Sequence, residues 1–343
     1  MPFSVDHVKR SDALLCATAA AVLGSSVPIS RSVLGYPILS GQALRYALAA
    51  TALGLLVRLG APAGRAGRSD LLRLTALAAT GLVGFNVCLL AALRHADAPV
   101  VGTVVGGTPL LLAVLGPALQ GRRPSPRLVG AATVVVAGAA LVEGGGHADA
   151  AGLGYALGAL AGEAAFSLLA APLLPRLGPV RVSAWTCALA VPMLLGSAVV
   201  AGEPRRWRVP LPGEVAALAY LGLVLTVLAF LAWYAGLARL GVERAGMCFG
   251  LMPVAALTAT AVFDGRVPPV AQVAGVLLVG AGLSAGLMAK PRLEPGPALA
   301  PSLALAPGLA LDGADRVGVG QGGLAQRPLG VEAVGSRGRD DGQ

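Results

Sequence analysis

The sequence predicts an all-α integral membrane protein: ten transmembrane helices arranged as two inverted five-helix repeats. Three observations predict it. The chain of 343 residues is 56% hydrophobic and only 13% charged. That is about half the charge of a soluble domain, too little to cover a water-facing surface. The apolar residues gather in ten segments of about twenty residues, the length that crosses the hydrocarbon core of a bilayer. The two halves of the chain also match each other at one register, without gaps.

In order, the segments are 12–30, 36–57, 71–92, 99–119, 127–143, 152–174, 182–201, 213–236, 246–263 and 268–289. They are apolar nearly all round rather than striped at helical period, which argues against a soluble bundle. The connections are short and carry Gly, Pro or Arg, the expected breakers between packed helices. Lys9 and Arg10 precede the first segment, as in a signal peptide, but nine more segments follow and predict an uncleaved first helix. The net charge of +9 does not point to nucleic acid, because the basic residues sit in short clusters between apolar runs.

Those clusters orient the chain. With the N-terminus inside, fifteen Lys and Arg fall on the inner side outside the tail, and six on the outer side. The excess predicts both termini on the cytoplasmic side of the plasma membrane. Residues 1–11 read as a cytoplasmic N-terminus, 12–143 as the first five-helix repeat and 152–289 as the second. Residues 290–343 read as a disordered cytoplasmic tail: of the 53 residues from Pro291 onward, 17 are Gly or Pro and none is aromatic.

The repeat rests on residues that are costly to match. At an offset of 144, Gly102 meets Gly246, Gly106 meets Gly250, Pro109 meets Pro253, Gly121 meets Gly265, Arg122 meets Arg266 and Gly138 meets Gly282. Five helices per copy is an odd number, so the second copy inserts upside down. Inverted copies allow two related packings, open to opposite sides, with a binding site at the midplane between them. Gly102 and Gly106, Gly246 and Gly250, and Gly154, Gly158 and Gly162 predict close helix approach. Pro109 and Pro253 stand mid-segment, as kinks or hinges.

Glu163 lies at the centre of "AGLGYALGALAGEAAFSLLAAPLL" (151–174). A carboxylate at that depth costs about 2.5–3.5 kcal/mol on insertion, so it faces the bundle or holds its proton. Such a group can trade a proton for a cationic substrate or carry a coupling proton; a structural hydrogen bond to a neighbouring helix is the other reading. Arg45, one turn after Gln42 on the second segment, either snorkels outward or pairs with Glu163 or a substrate carboxylate. Asn86 on the third segment adds a hydrogen-bonding group, as packing glue or ligand. Tyr46, Phe85, Phe166, Trp185, Phe230, Trp233 and Tyr234 are candidate cavity walls or interface anchors.

Other chemistry is absent from the pattern. Cys16, Cys88, Cys187 and Cys248 lie inside apolar runs, and His7, His95 and His147 have no metal-site spacing. "GLSAG" (282–286) lies inside a helix with no later His, and "GVGQGG" (318–323) has no strand before it. The expectation is no enzyme, no metal and no cofactor.

The chain resembles the EamA-type permeases of the drug/metabolite transporter superfamily over roughly residues 12–289. The resemblance rests on Gly24-Ser25-Ser26, on "ALRYALAA" with Arg45, and on Pro109 with the "GRRP" exit. In the second half it rests on "YLGLVLTVLAFLAWYAGLARLG" followed by "LMP". It implies a ten-helix inner-membrane permease, often an exporter of amino acids or other small metabolites, without ATP or prosthetic group. Two features depart from the family. Gly121-Arg122 and Gly265-Arg266 stand where members commonly have Gly-Glu-Arg, and Glu163 stands near a usual Trp, so the resemblance assigns Glu163 no role.

The expected function is that of a secondary transporter working by alternating access, moving a small metabolite, amino acid or drug-like compound, in the direction of efflux. Its expected partners are the lipid bilayer, a small-molecule substrate and protons as coupling ion, with no nucleic acid; a homodimer is compatible with this reading. The alternative is a non-transporting membrane sensor or assembly scaffold on the same fold.

Overall fold

A computed structural model of the chain describes residues 10–26, 29, 31–33, 35–60, 66–265 and 267–288. The expected tail 290–343 lies outside the described residues, as do 1–9 of the expected N-terminal stretch. Among the described residues every regular element is helical.

Eight helices are long and apolar enough to cross a membrane: α3 (Arg68–His95), α4 (Ala98–Ala118), α5 (Pro126–Glu143), α6 (Ala150–Ala170), α7 (Leu174–Val200), α8 (Pro212–Leu240), α9 (Val242–Phe263) and α10 (Val270–Met288). Two further helices precede them. The first, α1 (Arg10–Ser25), has 16 residues and is short for a span. The second, α2 (Ile38–Arg58), has 21 residues, but Gln42, Arg45 and Arg58 lower its hydropathy. Their outward faces carry large apolar side chains, Leu72, Leu157, Leu228 and Leu277 among them, which suits lipid contact.

Several ends differ from the sequence-based segments. Helix α6 stops at Ala170, not 174. Glu163 therefore stands 13 residues from Ala150, about 20 Å along the axis, a little past the helix centre towards its far end. Helix α7 was expected from 182. Its straight part follows Gly178, whose φ of 73° and ψ of 162° break the helix, and Pro179 restarts it. Gly241 holds the same conformation, φ 77° and ψ 162°, and turns α8 into α9 without a loop. A side chain there is strained, so Gly241→Ala is expected to cost about 1–3 kcal/mol, read as a lowered melting temperature of the purified protein. Gly54→Ala, mid-helix with open space around it, is the control and should not lower it.

The start of α6 is secured by a local duplication. His95-Ala96-Asp97 and His147-Ala148-Asp149 run antiparallel, bridged at Ala96 and Ala148. His95 Nδ1 lies 3.0 Å from Asp149 Oδ2, and Asp149 accepts from the Gly152 N–H at 2.7 Å as the α6 N-cap. The Gly152 N–H, with His95 beside it, holds the Asp149 carboxyl below its usual range.

Packing follows a pattern that returns under the 144-residue offset. Helix α1 packs on α8 and α9, and α6 on α3 and α4. The pairs α2–α7, α5–α10 and α4–α9 join corresponding helices of the two halves. Two irregularities recur as well. A π-helical segment spans Ala78–Gly84 in α3 and Leu221–Leu228 in α8. Helix α4 breaks at Gly106–Gly107, and α9 passes through a 3-10 turn at Cys248–Gly250.

These breaks alter the expectation for the prolines. Pro109 is the second residue of the helix Thr108–Ala118 and Pro253 the third of Leu251–Asp264. In a first turn the missing N–H has no intrahelical partner to lose, so the prolines start half-helices rather than kink continuous ones. Of the expected packing glycines, Gly102 faces the Glu143 carboxyl, Gly158 the Cys88 Sγ, Gly246 the Leu112 side chain and Gly250 the Val135 side chain. Gly106 sits in the α4 break, and Gly154 faces open space.

Candidate functional site

One cavity brings Glu163, Arg45 and Asn86 together, while Gln42 does not line it. Its volume is about 110 Å³, and α1, α2, α3, α6, α8 and α9 line it, so both halves contribute. Glu163 and Phe166 come from α6, Arg45 and Tyr46 from α2, and Gly81, Leu82, Phe85 and Asn86 from α3. Leu225, Ala229, Phe230 and Trp233 come from α8, Leu23 from α1 and Phe249 from the α9 break.

Both π-helical segments line the cavity, through Gly81 and Leu82 on one and Leu225 on the other. A π segment widens the helix and offsets its carbonyls from the regular ladder, a deformation found often at functional sites. Asn86 donates to the Leu82 carbonyl at 2.7 Å and to the Tyr46 hydroxyl at 3.5 Å. On the second π segment, Thr226 donates to the Leu221 carbonyl at 2.9 Å. Its oxygen also accepts from Arg45 Nε at 2.7 Å.

Arg45 is thus held by neutral groups. Gln42 Oε1 accepts from its Nη1 at 3.2 Å, and its guanidinium carbon lies 5.1 Å from the centre of the Tyr46 ring. Pairing with Glu163, one of the alternatives for Arg45, is not formed. Glu163 has no hydrogen-bond or ion-pair partner among the described residues. The Tyr234 hydroxyl is buried and unpartnered among the described residues.

Aromatic rings complete the walls. Phe166 lies 4.8 Å from Phe230 and 5.0 Å from Tyr234, centre to centre, and Trp233 lies 4.2 Å from Phe249. Trp233 donates to Ser167 at 3.3 Å, which fixes its ring. Ring faces attract cations. Trp185, by contrast, is 45% exposed on the outside of α7 and belongs to the lipid side.

Close backbone approach sets Glu163 at the cavity. A Cβ on neighbouring Gly162 would stand 2.9 Å from the Thr80 carbonyl oxygen and 3.2 Å from the Phe85 Cα, and one on Gly81 3.0 Å from the Phe166 Cα. Absent side chains on both helices let α6 lie against the π segment of α3. The sequence reading missed Thr226, Gly81 and Phe249. Thr226 alone carried a signal, as a lone hydroxyl within an apolar run.

Similarities to known proteins agree with this architecture. Residues 11–143 and 150–285 each match the EamA-like transporter family. Two proteins of Bacillus subtilis (strain 168) are similar, each described as an uncharacterized transporter. YdeK is 30% identical over 250 residues, 68% of this chain and 81% of its own length. YetK is 25% identical over 252 residues, 70% and 76% of the two lengths. A solved crystal structure shares the fold with a TM-score of 0.65 at 21% identity, over 80% of this chain and 97% of that one. With a family match in each half and a cavity built from both, the chain is a multi-pass membrane transporter and belongs to the EamA-like transporter family.

Proposed function

We propose that the protein is a secondary transporter that works by alternating access, with its substrate site at the Glu163 cavity. In this reading all ten helices cross the cytoplasmic membrane as two inverted repeats, 12–143 and 152–289, with both termini inside. The return of the same packing, π segments and helix breaks at one offset supports it. Efflux is the direction that the family resemblance implies.

The observation that carries the reading is the unpartnered Glu163 carboxyl in one aromatic-lined cavity with Arg45. A solute ammonium group meets Glu163 and the ring faces, and a solute carboxylate meets Arg45. Amino-acid-like zwitterions with apolar side chains offer both groups to a site of this size. Glu163 also serves as the coupling group, protonated when empty and ionised when a cation occupies the site.

The test is proton flux in proteoliposomes on addition of candidate amino acids and amines. A substrate-dependent flux is expected. Its absence, together with no thermal stabilisation by any candidate, would favour the sensor or scaffold reading. For topology, a reporter fused after Lys290 is expected to read inside; an outside reading would overturn the orientation.

A further inference from the structure

Two carboxylates stand 144 positions apart at the starts of corresponding helices: Asp70 on α3 and Glu214 on α8. They close the same capping arrangement. The Gly67 N–H donates to Asp70 Oδ2 at 2.9 Å, and the Leu211 N–H to Glu214 Oε2 at 2.7 Å. Both side chains are almost out of solvent, 2% and 7% exposed, and each is bonded to an arginine. Arg176 Nη1 reaches Asp70 Oδ1 at 3.0 Å. Arg208 holds Glu214 through two bonds of 2.6 and 2.7 Å.

The Asp70–Arg176 pair ties one half of the chain to the other, and at the second pair Arg208 makes the tie. Arg176 lies at the start of α7, in the second half, while Asp70 lies in the first. Arg208 and Glu214 both lie in the second half, and Arg208 reaches across it to the first. Its Nη2 donates to the Gly35 carbonyl at 3.3 Å, and its guanidinium carbon lies 5.5 Å from the centre of the Tyr36 ring. Glu203 strengthens that end by accepting from the Leu39 and Ser40 N–H groups and the Ser40 hydroxyl at 2.6–3.0 Å. Between Asp70 and Glu214 run five helices able to span, α3 to α7. An odd number of crossings puts the two pairs on opposite faces of the membrane.

We propose that Asp70–Arg176 and Glu214–Arg208 are the two latches of the transport cycle, one on each face, broken in turn as the cavity opens to that face. This rests on the alternating-access reading above. A carboxylate this buried that loses its arginine must gain water or a proton, because the unpaired charge is costly. In the proposed cycle the water enters as the cavity opens to that face. Weakening one latch shifts the population towards the state open on its side.

The test uses the full chain with its native cysteines replaced by Ala and one cysteine introduced in the cavity wall, Ala229→Cys. A membrane-impermeant maleimide is applied from each face in vesicles of known orientation. Asp70→Asn keeps a capping acceptor and is expected to raise the ratio of labelling from the Asp70 face to that from the Glu214 face. Arg176 is 62% exposed, which screens the pair, so the expected change is about fivefold. Arg176→Gln should reproduce it, and Glu214→Gln should move the ratio the other way. Variants that leave both the ratio and the rates unmoved, or move the ratio the same way at both latches, overturn the latches while a wild type labelled from both faces keeps alternating access. A wild type labelled from one face only, with and without substrate, overturns the transport reading itself. Rates raised equally from both faces mark unfolding; Arg176→Lys, which keeps the charge, must then leave the wild-type ratio intact, and a ratio shifted by it counts against the latch.

Discussion

Glu163→Gln is expected to abolish the pH dependence of transport and to weaken substrate binding by at least about tenfold. The size follows from the surroundings of the carboxyl group. It has no protein partner among the described residues, so its bonding capacity is available to the ligand. A hydrogen bond to a charged group contributes about 1.5–3 kcal/mol, which is roughly 10- to 150-fold in affinity. The amide keeps the shape and removes both the charge and the exchangeable proton. Stability should move the other way or not at all, because an acidic group within a span costs about 2.5–3.5 kcal/mol to insert. Ligand-induced thermal stabilisation, followed at two pH values, separates the two quantities. A variant that binds as tightly as wild type but melts earlier would make Glu163 a structural residue.

Gly138→Leu is expected to give the largest loss of stability of any substitution described above. Helices α5 and α10 touch backbone to backbone at this point. A Cβ on Gly138 would stand 2.7 Å from both the Gly275 carbonyl oxygen and the Val279 nitrogen, and one on Gly275 would stand 2.7 Å from the Gly138 oxygen. No side chain can rotate away to make room, so a leucine must part the helices. Overpacking in a close-packed interior costs about 1–3 kcal/mol when neighbours can adjust; here they are main chain, and about 3 kcal/mol is the expected figure. Gly130→Leu is the control on the same helix, since nothing lies within 4 Å of its Cβ position. The measurement is thermal unfolding in detergent. Equal melting temperatures for the two variants would show that the α5–α10 contact is not tight.

Much of the architecture was legible in one dimension. Hydropathy located eight of the helices to within a few residues at most ends, and matched Gly, Pro and Arg at one offset anticipated the recurrence seen in the packing. The helix starts at Pro109, Pro179 and Pro253 needed backbone geometry, because a proline reads alike in sequence whether it kinks a helix or begins one. The same limit applies to glycine: Gly154 and Gly158 lie one turn apart on α6, yet only Gly158 meets a neighbour.

The candidate site divides along the same line. That Glu163 and Arg45 are costly groups within apolar segments follows from residue type and position, since hydrocarbon penalises a charge whatever the fold. That they share a cavity, that Thr226 rather than Glu163 holds Arg45, and that Phe249 closes the wall while Trp185 faces outward were decided by tertiary structure alone. In water, the polar stripe of a helix announces its buried face. In a bilayer the lipid is as apolar as the protein interior, so an all-apolar helix carries no such mark, and only the packing of its neighbours determines which side chains meet.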